Sequence, residues 1–340
     1  MLSQPEDRPA ATRARVLILA TGGTIAGAAA AAVDARYRPA EIGVEKLIDA
    51  VPSMHALASV EARQFAQIAS QDMGGAAWIE LARQINRLFE TDTAGGVVIT
   101  HGTDTAEETA YFLHLVVNSG RPIVVTGAMR PASSLSADGP LNLYNAVAVA
   151  ADDHACGRGV IVVVNDNLHC ARDVTKSNTT DVQTFTSPGP GLLGSVSFGR
   201  IRYFRHPTRR HTLDSEFSVE NIDRLPRVDI LFAHADMSAD LVNASRAAGA
   251  KGIVIAGVGN GNVPDTVTGA LAEAAEGGVI VVRSTRVGSG EVIRNAEIDD
   301  DALGLVAADQ LSPQKSRVLL QLCLTRGMNR DAVQDAFLRY

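Results

Sequence analysis

RVLILATGGTIAG, residues 15–27, decides how the rest of the chain is read. Its first part, RVLILA (15–20), is the kind of apolar run that forms a parallel strand buried on both faces. Thr-Gly-Gly-Thr follows directly, so hydroxyls and unusually free backbone land at the carboxyl end of that strand. Open α/β sheets keep their ligands at that edge. GVVIT (96–100) followed by HGTDT (101–105) repeats the arrangement and adds a carboxylate. Thr24 and Thr103, presented in this way, point to nucleophilic hydroxyl chemistry and away from hydride or phosphoryl transfer.

Working outward, strand-like and helix-like segments alternate. The spacing predicts a helix near 44–50, a strand at 59–68, a helix at 75–90, a helix at 105–117, a strand at 122–127, a helix at 139–151 and a strand at 159–165. GLLGSVSFGRIRYF (191–204) reads as a hairpin turning at Gly199. A polar stretch bracketed by Pro207 and Pro226 reads as a connector. A second series begins at 228–232 and continues with helix 239–248, strand 252–256, helix 264–276 and strand 278–283, before a helical C-terminus. βαβ alternation of this kind predicts an α/β protein of two doubly wound domains with mostly parallel sheets. The expected division is a larger N-terminal domain (1–205) carrying the threonines, a linker (206–225) and a smaller C-terminal domain (226–340).

Composition narrows the function. The chain has 340 residues, is 46% hydrophobic with only 4% aromatics, and carries a net charge of −7. A Val/Ile/Leu/Ala core under helices fits those figures. The charge and the lack of a long basic run argue against a nucleic-acid partner, because phosphate contacts need clustered Lys and Arg. The short basic cluster Arg205–His211 reads as part of the solvated connector. Cys156, Cys170 and Cys323 are three in number and show no CxxC spacing, so no disulfide scaffold is expected and a reducing compartment fits. No apolar run is long enough to span a bilayer. The opening residues lack a secretory pattern, so the expected location is the cytoplasm, or the periplasm for a mature exported form.

Each motif admits a plainer alternative. TGGTIAG is either a nucleophile loop, with Gly22 and Gly23 offering N–H groups to an oxyanion, or a glycine-rich turn. It matches neither GxGxxG nor GxxxxGK[ST]. HGTDT can be explained partly as a capping box in which Thr105 with Glu108, or Asp104 with Glu107, starts the following helix. Lys176, in ARDVTKSNTTD (171–181), is either a solvated loop lysine or a buried general base. GVGNGN (257–262) has Asn262 where a dinucleotide fingerprint needs its third glycine. The eight histidines show no HExxH, so neither a metal nor any other cofactor is expected, and no GxSxG elbow occurs.

Taken together, TGGTIAG, ASQDM, THGTDTAEETAYF, GAMRP, SADGPLNLYNAV, RDVTKSNTTDV, AGVGNGN, NAEIDD and LSPQKSRVLLQL resemble the bacterial two-domain L-asparaginases of the asparaginase/glutaminase family, from about residue 14 to Tyr340. The resemblance implies that Thr24 is the nucleophile, assisted by Tyr37 on a mobile lid. It implies a second triad of Thr103, Asp104 and Lys176. Substrate contacts implied in the same way are Gly23, Ser70, Gln71, Thr103, Asp104 and the carbonyl of Ala128. Asn262 and Glu297 would come from a neighbouring subunit, since the family forms a homotetramer, a dimer of dimers with sites at subunit interfaces. The implied reaction is L-asparagine plus water to L-aspartate plus ammonia, through an acyl-enzyme, with weaker glutamine hydrolysis alongside. Asparagine is favoured because the glutaminase-leaning branch usually has Glu at the position of Gln71 and GSMRP in place of GAMRP. One methylene is worth only about 1–3 kcal/mol of discrimination.

The residues suit that chemistry on their own terms. A carboxamide resists water, and attack by a hydroxyl splits its hydrolysis into two easier steps. Other readings are a broad glutaminase-asparaginase, a non-catalytic amino-acid-binding protein, an amidotransferase acting on aminoacyl-tRNA, and a nicotinamide-dependent enzyme. The binding protein leaves the Thr-centred clusters unexplained. The amidotransferase needs an RNA-facing surface that the net charge opposes, and the broken glycine fingerprint opposes the dehydrogenase.

Overall fold

The computed structural model describes residues 13–29, 37–38, 41 and 43–340. They fall into two compact units, Met1–Glu220 and Asn221–Tyr340.

In the first unit, the opening apolar run forms β1 (Arg15–Gly22), buried from Val16 onward. A two-residue ladder of β2 (Ala28–Ala29) and β3 (Tyr37–Arg38) follows, then the short helices α1 (Val44–Asp49) and α2 (Met54–Leu57). Next come β4 (Ser59–Ile68), α3 (Gly75–Glu90), β5 (Gly96–Thr100), α4 (Ala106–Val116), β6 (Ile123–Thr126), α5 (Gly139–Ala150) and β7 (Val160–Val164). Every residue of β5, β6 and β7 is buried, which is what helices on both faces of a parallel sheet impose. The helix α3 buries Trp78, Ile79, Leu81, Ala82, Ile85, Leu88 and Phe89, a stripe at helical spacing.

Strands β4, β1, β5, β6 and β7 are mutually parallel. The sheet then continues antiparallel through β8 (Asn167–Cys170), β11 (Gly194–Ser197) and β12 (Arg200–Tyr203). The order across its eight strands is β12-β11-β8-β7-β6-β5-β1-β4. The chain steps from β1 to β4 on one side, then crosses back to β5 on the other. The switch of direction opens the crevice above β1 and β5. Outside this sheet, β9 (Thr175–Lys176) pairs antiparallel with β10 (Phe185–Thr186).

The hairpin expected at 191–204 forms as β11 and β12, turning at Phe198–Gly199. The stretch expected to be a solvated connector is built into the first unit for much of its length. Arg205 bonds the Asp173 carboxylate at 2.7 Å. The His211 ring lies tilted against that of His114 with centroids 4.8 Å apart. Ser215 Oγ donates to the Leu115 carbonyl, and Phe217 and Val219 are buried. Its polarity misleads because the buried His211 and Thr212 and the half-buried Ser215 find partners inside.

The second unit is a parallel sheet in the order β13 (Val228–Phe232), β14 (Gly252–Gly257), β15 (Ile280–Thr285), β16 (Val306–Ala307). Helices α6 (Asp240–Ala247), α7 (Asp265–Glu276), α8 (Pro313–Thr325) and α9 (Arg330–Arg339) complete it. Among the described residues, no helix is long and apolar enough to cross a membrane.

Candidate active site

Four loops leave the carboxyl ends of β1, β4, β5 and β6, and glycines let them touch. Gly23, at φ 81° and ψ −170°, precedes a 3-10 turn at Thr24–Ala26 that leaves Thr24 buried. A Cβ at Gly23 would stand 2.3 Å from both Cα and N of Gly102, so the TGGT and HGTDT loops meet backbone against backbone. A Cβ on Gly102 would lie 2.7 Å from Ser70 Oγ. The β6 loop closes the group: Cβ atoms on Gly127 and Gly139 would meet the His101 carbonyl at 2.6 Å and Ile25 Cγ1 at 3.0 Å. Thr24, Ser70, Thr103 and Ala128, all buried, therefore belong to one cluster, with Gln71 exposed beside Ser70.

Thr105 begins α4 without a side-chain cap. Its hydroxyl donates instead to the Ser70 carbonyl at 2.6 Å. The capping box expected at Thr105 is thus replaced by a tie between the β4 and β5 loops.

Lys176 reaches this cluster from β9. Its Nζ donates to Thr103 Oγ1 at 2.9 Å and to Asp104 Oδ1 at 2.6 Å. The Thr103 oxygen accepts from the lysine, which leaves its own O–H free to point elsewhere. The Lys176 side chain is mostly buried and that of Asp104 mostly exposed, so their ion pair adds little stability; it matters for orientation. Glu107, buried in the first turn of α4, accepts from the Thr175 hydroxyl at 3.3 Å and the Lys176 N–H at 3.4 Å. A cleft of about 600 Å³ opens beside this group, lined by Asp104, Glu107, Lys176, Ser177, Asn178 and Thr179.

Behind the loops runs a directed chain of hydrogen bonds. His101 Nδ1 lies 2.7 Å from the Gly102 carbonyl, which can only accept, so Nδ1 carries the proton. His101 Nε2 then accepts from Thr109 Oγ1 at 2.9 Å, and that oxygen accepts from the Trp78 indole N–H at 2.8 Å. Burial lowers the His101 pKa, against an opposing pull from the Gly102 carbonyl. Burial thus favours the neutral ring, which both nitrogens' partners hold in place.

The GAMRP loop is clamped from the start of α5. Asp138 accepts from the N–H groups of Met129 and Arg130, each at 2.9 Å. Asn142 Nδ2 donates to the Gly127 carbonyl at 3.0 Å. Neither residue was singled out from sequence, although SADGPLN carries both. Asp138, before a proline in the first turn of a helix, was the signal.

Tyr37 is placed by its backbone alone, pairing with Ala29; residues 30–36 of the expected lid lie outside the described residues. In the second unit, Asn262 and Glu297 come together, Asn262 Nδ2 donating to Glu297 Oε2.

Two family models match the chain: "Asparaginase, N-terminal" over residues 15–209 and "Glutaminase/Asparaginase C-terminal domain" over residues 227–337. The chain belongs to the asparaginase family. It is therefore an amidohydrolase. It is 50% identical over 325 residues to a protein named L-asparaginase 2 from Escherichia coli, covering 96% of this chain and 93% of that one. It is 46% identical over 329 residues to a "Glutaminase-asparaginase" from Pseudomonas fluorescens, with coverage of 96% and 91%. A solved structure entitled "Probable Cytoplasmic L-asparaginase" from Campylobacter jejuni superposes with a TM-score of 0.94 at 42% identity, spanning 96% of this chain and all (100%) of that one. Family membership also sets aside a purely binding role.

Proposed function

We propose that this chain hydrolyses L-asparagine to L-aspartate and ammonia through an ester on Thr24. The observation that carries the reading is the junction of the TGGT and HGTDT backbones, with Lys176 reaching Thr103 and Asp104 beside it. Thr24 Oγ attacks the carboxamide carbon while backbone N–H groups of the glycine turns receive the oxyanion. Removing one such donor costs about 3–4 kcal/mol of barrier in other acyl-transfer enzymes. Tyr37 assists at the nucleophile. Thr103, oriented by Lys176, takes up the proton that leaves the Thr24 hydroxyl as it gives its own to the departing ammonia, and later relays a proton from the attacking water back to Thr24 Oγ as the ester opens. Ser70 and Gln71 hold the substrate's charged ends, Asp104 attracts its ammonium, and Ala128 presents its carbonyl to the amide. Asn262 and Glu297 complete the pocket of a neighbouring subunit in a tetramer built as a dimer of dimers. The three cysteines, none of them disulfide-bonded, favour a reducing compartment and so a cytoplasmic location.

Thr24→Ala tests the reading. Loss of ammonia release from asparagine, with the circular-dichroism spectrum and melting curve unchanged, is the expected result. Release at the wild-type rate would defeat it. A second reading, broad glutaminase-asparaginase activity, is favoured by the relative of that name. Parallel kcat/KM values for asparagine and glutamine decide between them, and Gln71→Glu should move the ratio toward glutamine.

A further inference from the structure

The second unit buries a complete ion pair. Arg283, in the middle of β15, is 1% exposed and Asp300 is fully buried. The guanidinium meets the carboxylate as a fork, Nε to Oδ1 and Nη2 to Oδ2, both at 2.7 Å. Bidentate pairing of this kind fixes orientation as well as supplying energy. The remaining donors go to two different loops: Nη2 to the Ile293 carbonyl at 3.0 Å, and Nη1 to the Asn260 carbonyl. The same loops are also tied to each other and to the pair. Asn260 Oδ1 accepts from the Ile293 N–H at 2.9 Å, and Asp300 Oδ2 accepts from the Asn295 N–H at 2.9 Å. Gly261, at φ 80°, lies flat on the arginine; a Cβ there would come within 3.0 Å of Cγ and Nη1. One loop ends in Asn262 and the other carries Glu297, and the two side chains bond each other.

An arginine–aspartate pair is a poor way to stabilise a core. Well-packed apolar residues in its place are often as stabilising or more so. Its donors and acceptors go instead to the backbones of the two loops that present Asn262 and Glu297.

We propose that Arg283 is a positioning residue for substrate binding: with Asp300 and Asn260 it fixes the spacing of Asn262 and Glu297. The inference rests on the proposal that Asn262 and Glu297 complete the substrate pocket of a neighbouring subunit. A misplaced carboxylate weakens ground-state binding of the substrate and leaves the Thr24 chemistry intact, so KM moves and kcat does not.

The test is steady-state hydrolysis of asparagine by the full-length protein. Arg283→Lys keeps the charge and loses the fork. Asn260→Ala removes the side-chain tie and leaves the ion pair whole, whereas Asn260→Asp retains an acceptor. KM should rise about tenfold in Arg283→Lys and in Asn260→Ala, with kcat held within about threefold. Asn260→Asp should stay within about twofold of wild type, because the acceptor survives. On a Glu297→Ala background neither substitution should raise KM further, since residues acting through one another are not additive. Should Arg283→Lys fail to fold, the Asn260 series and its double variants decide. Folded variants with unchanged KM, a loss confined to kcat, or effects additive with Glu297→Ala would overturn the inference. If Glu297→Ala itself leaves KM unchanged, the reading of Glu297 as a substrate contact fails instead.

Discussion

Gly23→Ala puts the junction of the two threonine loops to a quantitative test. At φ 81° and ψ −170°, Gly23 occupies a region essentially reserved for glycine, and an alanine held there costs on the order of 1–3 kcal/mol. The new methyl would also stand 2.3 Å from two backbone atoms of Gly102. Ordinary carbon contacts begin near ~3.5 Å, so one loop must retreat by about 1 Å. Overpacking of this kind adds roughly 1–3 kcal/mol, giving a total loss of roughly 2–6 kcal/mol. The same displacement separates Thr24 from Thr103, and a 1 Å misplacement of reacting groups costs about a hundredfold in rate. Urea denaturation and ammonia release measure the two effects on one preparation. Gly74→Ala is the control: Gly74 is the extended N-cap residue of α3, with nothing within 4 Å of an added Cβ, and the change should cost no more than about 1 kcal/mol. If Gly23→Ala matched that control in both stability and rate, the two loops could not be in the contact described.

Three further outcomes are expected. Lys176→Met removes both bonds to Thr103 and Asp104; kcat should fall by about 10²–10⁴ with the melting temperature little changed, and a kcat within tenfold of wild type would exclude Lys176 from proton transfer. Thr105→Val deletes the bond to the Ser70 carbonyl, and chemical denaturation should show a loss of about 0.5–1.5 kcal/mol; an unchanged midpoint would mean the tie carries no load. Burial lowers the pKa of His101 and of His211, so the unfolded chain takes up these protons first as pH drops. Their contribution to stability is complete above the unfolded value near ~6.5 and erodes below it, by at most about 1.4 kcal/mol per pH unit for each ring. The urea midpoint should therefore fall between pH 7.5 and 5.5, and by less in His211→Gln. A flat profile over that window would contradict the burial of both rings.

The legible parts of this chain are those where one physical rule acts alone. VLILA, GVVIT, IVVT and VIVVV become buried parallel strands because apolar runs bounded by turns have few other fates, and each fixes where its following loop begins. The antiparallel strand β8 was not legible. NLHC is too short and mixed to show a period, and Asn165 and Asp166, both at positive φ, turn the chain back from β7 in a space of two residues. Polarity misled at 206–220, where His211 and Ser215 find partners inside the fold. It misled again at Thr105, whose hydroxyl had two acceptable partners and took the distant one. In the first unit, motifs drew attention to Thr103, Asp104 and Lys176, which the structure brings together, but not to Asp138 or Asn142, which hold backbone groups and leave no pattern beyond a carboxylate before a helix.

Thr24 and Thr103 are fixed to the sheet edge, whereas Lys176 arrives on a two-residue ladder with Phe185 and Thr186 that is held to α4 by the long bonds of Thr175 and Lys176 to Glu107. The frame that sets the two threonines is therefore distinct from the arm that delivers the lysine. Changes of length or sequence in the turn spanning Asn178 to Gln183 can adjust how far that arm extends while the strands beneath stay as they are. For redesign, that turn offers a dial on the reach of Lys176 toward Thr103 and Asp104 that leaves the strands carrying the threonines unchanged.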